Sequence, residues 1–273
     1  SKVFFSPQQA ELAIKLAQLS PAGLQYTFFS NSGTEAVEAA LKMARITTGR
    51  TRFVSTEDSY HGKTLGALSV TGREKYRAPF EPLIPGASFV PFGDLAAAEA
   101  AVSEETAAMI IEVVQGEGGI NVAPPGYIAG LRKRCDQVGA LLIVDEVQTG
   151  LGRTGKLFAC EHDGVKPDIM TLAKCLGGGV MPIGATMGTE AVWSAVYGKN
   201  PLVHTSTFGG NPLASVAGLA ALQVIEDDGL VERSATLGAM MKAKLMEVAK
   251  RHPDSIREVR GLGLMIGVEF SMD

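Results

Sequence analysis

Short apolar runs alternate along the chain with segments whose apolar residues recur every three or four positions. The runs MIIEVV (109–114) and LLIV (141–144) are nearly continuous in apolar residues, which is typical of strands covered on both faces. The segments TEAVEAALKMAR (34–45) and YIAGLRKRC (127–135) have helical spacing instead. This alternation predicts an α/β fold, a doubly wound and mostly parallel sheet.

The last third of the chain has a different pattern. A long helical stretch begins at Asn211, and a second follows Gly229 and runs to His252, where Pro253 stops a helix. The segment IREVRGLGLMIGVEF (256–270) predicts a strand with a glycine bend. We expect a large ligand-binding domain over residues 1–225. Residues 226–273 are expected to hold the rest of the helical stretch and the start of a small C-terminal α/β domain. Because Ser1 is no initiator methionine and the chain stops just after a strand-like run, we expect a fragment.

Composition narrows the class of protein. The 273 residues are 46% hydrophobic and 20% charged with a net charge of −4, so there is no basic field for nucleic acid. No apolar run is long enough to span a bilayer, so no membrane partner is expected. The three cysteines, Cys135, Cys160 and Cys175, have scattered spacings that favour reduced thiols and a cytoplasmic protein. They do not pair with the four histidines at metal-ligand spacing, so no metal site is expected.

One lysine stands out from its surroundings. In PDIMTLAKCLGGG, Lys174 lies between an apolar run and three glycines, with the small neighbours Ala173 and Cys175. It is either a surface lysine at the end of a strand or a partly desolvated amine whose lowered pKa lets it form a Schiff base.

Four other segments are expected near the carboxyl ends of the strands, where parallel sheets bind ligands. At Ser32-Gly33-Thr34 a strand turns into a helix, whose N-terminus suits a phosphate, although Ser32 and Glu35 also fit a plain capping box. Asp145 closes an apolar strand, so it either needs a cationic partner or is an exposed strand end.

The other two segments are loops. Tyr60-His61 precedes a glycine and offers an aromatic ring that stacks on a flat ligand or simply packs. The loop HTSTFGGNP (204–212) holds an anion or caps the next helix through Asn211. Together the segments suit a flat, anionic, carbonyl-bearing cofactor, and pyridoxal 5'-phosphate needs all of these features.

The motifs carry a resemblance that covers nearly the whole chain. NSGTEAVEAALKMAR, YHGKTLGALS, QGEGG, DEVQTGLGRTG, PDIMTLAK and STFGGNP resemble, in the same order, motifs of the class III (ω-amino acid) aminotransferases, which are fold type I pyridoxal-phosphate enzymes. Within that family, YHGKTLGAL, FACEH, CLGGGVMPIGAT and HTSTFGGNP are most similar to the putrescine aminotransferases. The large domain would then be the pyridoxal-phosphate-binding domain of that fold.

The resemblance implies a role for each matching position. Lys174 would form the Schiff base and shuttle a proton, Asp145 would pair with the pyridine nitrogen, Gln148 would lie near the phenolic oxygen, and Tyr60 and Val147 would sandwich the ring. Ser32, Gly33 and Thr34 would hold the phosphate, with Thr207 reaching in from another subunit, while His61, Glu112 and Glu117 match other positions lining the site.

The implied reaction moves an amino group from a terminal amine to a 2-oxo acid such as 2-oxoglutarate, in a homodimer or larger assembly. Lys63 stands where several relatives have an arginine, and a lysine lacks the fork that grips a carboxylate. This favours a diamine such as putrescine over ornithine, acetylornithine or another ω-amino acid. The other hypotheses are an aminomutase or racemase, a nucleotide-binding α/β protein with no covalent cofactor, and a cofactor-free interaction fragment.

Overall fold

The computed structural model describes residues 5–271. The α-helices in this range are α1 (Pro7–Leu19), α2 (Gly33–Thr48), α3 (Leu65–Ser69), α4 (Glu74–Arg77), α5 (Leu95–Ala101), α6 (Tyr127–Val138), α7 (Glu190–Tyr197), α8 (Pro212–Asp227) and α9 (Leu230–Arg251). The strands are β1 (Tyr26–Ser30), β2 (Arg52–Thr56), β3 (Ala87–Val90), β4 (Thr106–Ile111), β5 (Val114–Gln115), β6 (Asn121–Val122), β7 (Leu141–Asp145), β8 (Ile169–Leu172), β9 (Gly184–Gly188), β10 (Ile256–Leu262) and β11 (Met265–Phe270). Short 3-10 turns span Ala78–Phe80, Ala159–Asp163 and Lys174–Gly177.

Seven of these strands form one sheet in the order β1-β9-β8-β7-β4-β2-β3. The neighbours from β3 through β8 pair in parallel, and β9 runs antiparallel to both β8 and β1. The predicted doubly wound, mostly parallel α/β fold is therefore confirmed, with one reversed strand that the sequence reading did not specify.

The sheet is buried on both faces, which explains the nearly continuous apolar runs. Along β4, Met109 and Ile111 belong to the core that includes α1 and α6, while Ala108 and Ile110 belong to the core on the side of α2 and α7. Since successive strand residues point to opposite faces, a strand covered on both sides needs apolar residues at every position.

The C-terminal helices begin and end near the residues that the sequence predicted. Asn211 caps α8 by accepting a hydrogen bond from the N–H of Ala214 (3.0 Å), with Pro212 in the first turn, and α9 ends at Arg251 before Pro253. The predicted strand with a bend is an antiparallel hairpin of β10 and β11 that packs on α9. The boundary predicted at residue 225 falls inside α8, which continues to Asp227. The division into two domains stays a prediction.

The described residues contain neither a membrane-spanning helix nor a metal-binding cluster. In the range 5–271, no helix combines the length and apolar character that crossing a membrane requires. The same residues contain no cluster of three or more His, Cys, Asp or Glu side chains placed to hold a metal ion.

Candidate active site

A cavity of about 390 Å³ lies beyond the carboxyl ends of β1, β7 and β8, where the sheet topology places ligands. It is lined by ten of the eleven residues predicted for the site, namely Ser32, Gly33, Thr34, Tyr60, His61, Glu112, Asp145, Val147, Gln148 and Lys174. Residues from five separate stretches of sequence thus meet in one place.

The N-terminus of α2 forms one wall of the cavity. Ser32 caps the helix by accepting a hydrogen bond from the N–H of Glu35 (3.3 Å). The Glu35 carboxylate, however, accepts from the backbone N–H and the side-chain amide of Asn31, at 3.0 and 2.9 Å. The second bond of the predicted capping box is therefore made to Asn31 and not to the N–H of Ser32. Among residues 5–271, the N–H groups of Gly33 and Thr34 have no acceptor, which leaves two donors and a positive dipole end for an anion.

Gly33 has a structural reason to be glycine that the sequence reading missed. A Cβ at this position would lie 2.8 Å from Cγ1 of Val147 and 3.4 Å from Cβ of Ala173. The close approach at Gly33 is therefore to the loops that follow β7 and β8. It brings the helix terminus next to Val147, one of the residues predicted to face the cofactor ring.

Asp145 is 4% exposed and is held by three donors. Its Oδ2 accepts from Nδ1 of His61 (2.8 Å), and its Oδ1 accepts from Oγ1 of Thr171 (2.9 Å) and from the N–H of Val147 (3.1 Å). The side-chain partner of Oδ2 is thus a histidine from 84 residues away in sequence, and Asp145 is no exposed strand end. A carboxylate has about four acceptor positions, so Oδ2 retains one for a donor in the cavity.

Lys174 lies at the end of β8, at the mouth of the cavity, where the 3-10 turn Lys174–Gly177 begins. Its backbone φ is +31°, in the left-handed region that residues other than glycine avoid. Of the two alternatives for Lys174, a surface lysine or a partly desolvated amine, the chain by itself shows an exposed side chain. Its role as the Schiff-base lysine stays a prediction.

Glu112 is the buried carboxyl group at the back of the site. Its Oε2 accepts from the N–H of Tyr60 (2.9 Å) and its Oε1 from the N–H of Gly116 (3.2 Å). Burial raises the pKa of Glu112 to about 7, with His61 acting to lower it and Asp145 to raise it. Glu112 therefore fixes the loop that carries the Tyr60 ring. It also gives the site a carboxyl group whose pKa lies close to neutral pH.

Tyr60 presents the aromatic face that the sequence predicted. The half-buried ring meets Tyr76 edge-on with centroids 5.9 Å apart. Burial raises the pKa of the Tyr60 hydroxyl, and the charges of Glu117 and Tyr76 add to the effect. Glu117 is exposed and lies beside this ring, but it is not part of the cavity lining.

Sequence reasoning gave no role to Glu146, whose side chain is 1% exposed. Its carboxylate accepts from the N–H of Cys160 (2.8 Å) and from the hydroxyl of Thr149, and burial raises its pKa. It joins the turn after β7 to the 3-10 turn Ala159–Asp163. Glu146 follows the same apolar run as Asp145, so the same argument for a partner applied to both residues, but it was made only for Asp145.

Thr207 is the predicted residue that the structure places elsewhere. It is exposed and lines a separate depression with Pro7 and Asn211. Its assignment to the site of another subunit stays a prediction.

Comparison with known proteins places this geometry in a family. The family model for class-III aminotransferases matches residues 1–273, that is, the whole chain. The chain belongs to the class-III aminotransferase family. The predicted family is therefore confirmed.

Solved structures agree with this class-III aminotransferase chain in fold. An ornithine aminotransferase from Toxoplasma gondii is 36% identical, with a TM-score of 0.93 over 99% of this chain and 65% of its own. An amine transaminase from an uncultivated Pseudomonas species, in a pyridoxal-phosphate-bound form, is 33% identical, with a TM-score of 0.93 over 99% of this chain and 68% of its own.

A third solved structure contains bound ligands. A taurine:2-oxoglutarate aminotransferase from Bifidobacterium kashiwanohense, in complex with pyridoxal phosphate and glutamate, is 29% identical, with a TM-score of 0.90 over 98% of this chain and 65% of its own. The class-III aminotransferase chain thus spans just under two thirds of the length of this enzyme and of the Toxoplasma enzyme.

Proposed function

We propose that the full-length protein is a pyridoxal-phosphate-dependent aminotransferase. The observation that carries the proposal is the single cavity that contains the Lys174 amine, the buried Asp145 carboxylate and the free N–H groups at the start of α2. An amine, a fixed anion and an anion cradle are the three groups that pyridoxal phosphate requires of a protein.

The residues present fit this cofactor. The open acceptor position on Oδ2 of Asp145 suits a protonated ring nitrogen, and the N–H groups of Gly33 and Thr34 suit the phosphate. Val147 and Tyr60 line the same cavity and supply apolar and aromatic surface for the two faces of the ring. When bound, the cofactor supplies a carbonyl for covalent attachment and an electron sink for a carbanion.

The chain's own residues provide the remaining chemistry. Nζ of Lys174 would hold the cofactor covalently and would move the proton at the substrate carbon. Asp145 would hold the protonated ring nitrogen, and His61 and Thr171 keep the carboxylate in place for that task. Gln148, which lines the cavity, would bind the phenolic oxygen.

For the amino donor we propose a terminal amine, with a diamine such as putrescine first and a 2-oxo acid such as 2-oxoglutarate as the acceptor. Lys63 supports the diamine, because an ammonium group lacks the guanidinium fork that binds a substrate carboxylate in two places. Its Nζ lies 4.8 Å from the centroid of the Tyr76 ring. Ornithine is the second candidate, supported by the 36% identity to an ornithine aminotransferase. Initial rates with putrescine, ornithine and acetylornithine, each with 2-oxoglutarate, decide between them.

We further propose a cytoplasmic homodimer. The three cysteines are all free, two of them buried, which fits a reducing compartment. The position of Thr207 outside the cavity of its own chain fits a role in the cavity of a second copy.

The covalent assignment is tested on full-length protein incubated with pyridoxal phosphate and then reduced with borohydride. Peptide mass mapping should find the added mass on Lys174. The Lys174→Ala variant should take up no stable label and should lose transamination, while Lys63→Ala, which removes the other lysine lining the cavity, should still be labelled. Labelling of Lys174→Ala at wild-type yield would refute the assignment.

A further inference from the structure

Residues 116–120, which we call the partition loop, run from Gln148 of the candidate active site to a second cavity. Gln148 lines the cavity of the candidate active site and also a second, larger cavity of about 1200 Å³, and Ile120 at the end of the partition loop lines the second. Lys174 also borders both spaces. The partition loop therefore touches a side chain that both cavities share.

Arg260 of β10 holds the middle of the partition loop. Its Nε and Nη2 both donate to the carbonyl oxygen of Gly119, at 2.9 and 2.7 Å. Its Nη1 pairs with the carboxylates of Glu258 and Glu269, which fixes the plane of the guanidinium group. The Arg260 side chain is 19% exposed, whereas its partners Glu258 and Glu269 are 56% and 34% exposed.

The fit between the loop and the hairpin of β10 and β11 is close. Gly119 has a φ of +118°, and a Cβ there would lie 3.2 Å from Nη2 of Arg260. A Cβ on Gly267 of β11 would lie 3.0 Å from Cβ of Ile120. The partition loop therefore cannot shift relative to the hairpin without breaking these contacts.

The other end of the loop bears on the candidate site. A Cβ on Gly116 would lie 1.7 Å from Oε1 of Gln148, so the loop backbone packs directly on that side chain. The N–H of Gly116 also bonds Glu112, and the carbonyl of Glu117 accepts from Arg73. A displacement that starts at Gly119 reaches Gln148 within three residues.

We propose that Arg260 is a positioning residue for the candidate active site, which fixes the partition loop and through it the side chain of Gln148. This inference rests on the proposed function for the meaning of Gln148, but its mechanical part concerns the chain alone. It makes the β10–β11 hairpin a structural support of the cofactor cavity.

The mechanical part is tested without cofactor, by hydrogen exchange of full-length apoprotein. Arg260→Ala should raise exchange in the peptide 116–121 by about tenfold or more, because the loop loses two hydrogen bonds from a charged donor. The matched control is Arg257→Ala on the same strand, which removes a pair with the same Glu269 (3.1 Å) but no contact with the loop. Equal exchange in the two variants would overturn the proposal.

The functional part is tested by a double-mutant cycle read as the dissociation constant of pyridoxal phosphate. Arg260→Ala should weaken binding about tenfold in the native background, and much less when Gln148 is already alanine. Equal weakening in both backgrounds would show that Arg260 acts only on general stability and would sink the proposal.

The Arg260→Lys variant and the outcome without cofactor binding complete the test. Arg260→Lys should give intermediate exchange, because an ammonium makes fewer of the same bonds, and it replaces the alanine variant if that fails to fold. If neither the native protein nor any variant binds pyridoxal phosphate, the proposed function fails, and the exchange result still decides whether Arg260 holds the loop.

Discussion

Glu112 should make the stability of the apoprotein fall as the pH rises through neutrality. Burial raises the pKa of this carboxyl group to about 7, from an ordinary value of 4.5. Below pH 4.5 the group is protonated in both the folded and the unfolded chain and contributes no slope. Between pH 4.5 and 7 the unfolded chain has lost its proton while the folded chain keeps it, so the free energy of unfolding decreases as the pH rises. Above pH 7 both are ionised and the slope ends.

The magnitude follows from the shift. A difference of 7 − 4.5 = 2.5 pKa units corresponds to about 3.4 kcal/mol in total, at about 1.36 kcal/mol per unit. Between pH 5 and pH 8, Glu112 should lower the free energy of unfolding by about 2.5 kcal/mol. His61 and Asp145 face the same carboxyl group, so their charges are included in the shift.

The assay is urea unfolding of apoprotein at several pH values from 5 to 8, for the native chain and for Glu112→Gln. The amide is neutral throughout, so the free-energy difference between the two proteins should change by about 2.5 kcal/mol across the range. The constant loss caused by the amide, whose NH2 faces a backbone N–H, cancels in this comparison. Glu117→Gln, which replaces an exposed carboxylate in the same segment, is the control. A difference that stays constant with pH for Glu112→Gln would refute the reasoning.

Three further predictions concern the site. Asp145→Asn should weaken pyridoxal phosphate binding about 10- to 100-fold, because a neutral amide replaces a charged acceptor; an unchanged absorbance titration would contradict this. Gly33→Ala should lower the free energy of unfolding by about 1–3 kcal/mol, because the new Cβ overlaps Val147; urea midpoints equal to those of the native chain would show that the site yields without strain. Thr207→Ala should leave unfolding unchanged, since the residue is exposed, but should weaken cofactor retention about tenfold in a homodimer. A monodisperse monomer with full cofactor occupancy, seen by light scattering of the full-length holoprotein, would contradict it.

The sequence predicted those parts of the fold that local patterns determine. Continuous apolar runs identified strands such as β4 and β7, and Asn211 and Pro253 marked helix ends. The direction of β9 was left unspecified, although the stretch 173–183 between β8 and β9 is short for the helical crossover that a parallel neighbour needs. The exposure of Lys174 depends on tertiary structure, so the local sequence could not choose between its two alternatives.

The candidate site was predictable in its residues but less so in their contacts. Ten predicted positions line one cavity because the carboxyl ends of parallel strands meet at one edge of the sheet. The bond between His61 and Asp145 joins residues 84 positions apart, and no local pattern records such a pairing. The missing Cβ of Gly33 makes room for Val147, which is again a contact between segments far apart in sequence.

The left-handed backbone of Lys174 has a consequence for the balance between stability and use. A side chain at φ of +31° costs about 1–2 kcal/mol relative to an ordinary conformation, and a glycine at the same place would avoid that penalty. Selection for stability alone would therefore favour a glycine at position 174. On the proposed function, the lysine marks a position where the chain keeps an amine in the cavity at the expense of a more stable turn.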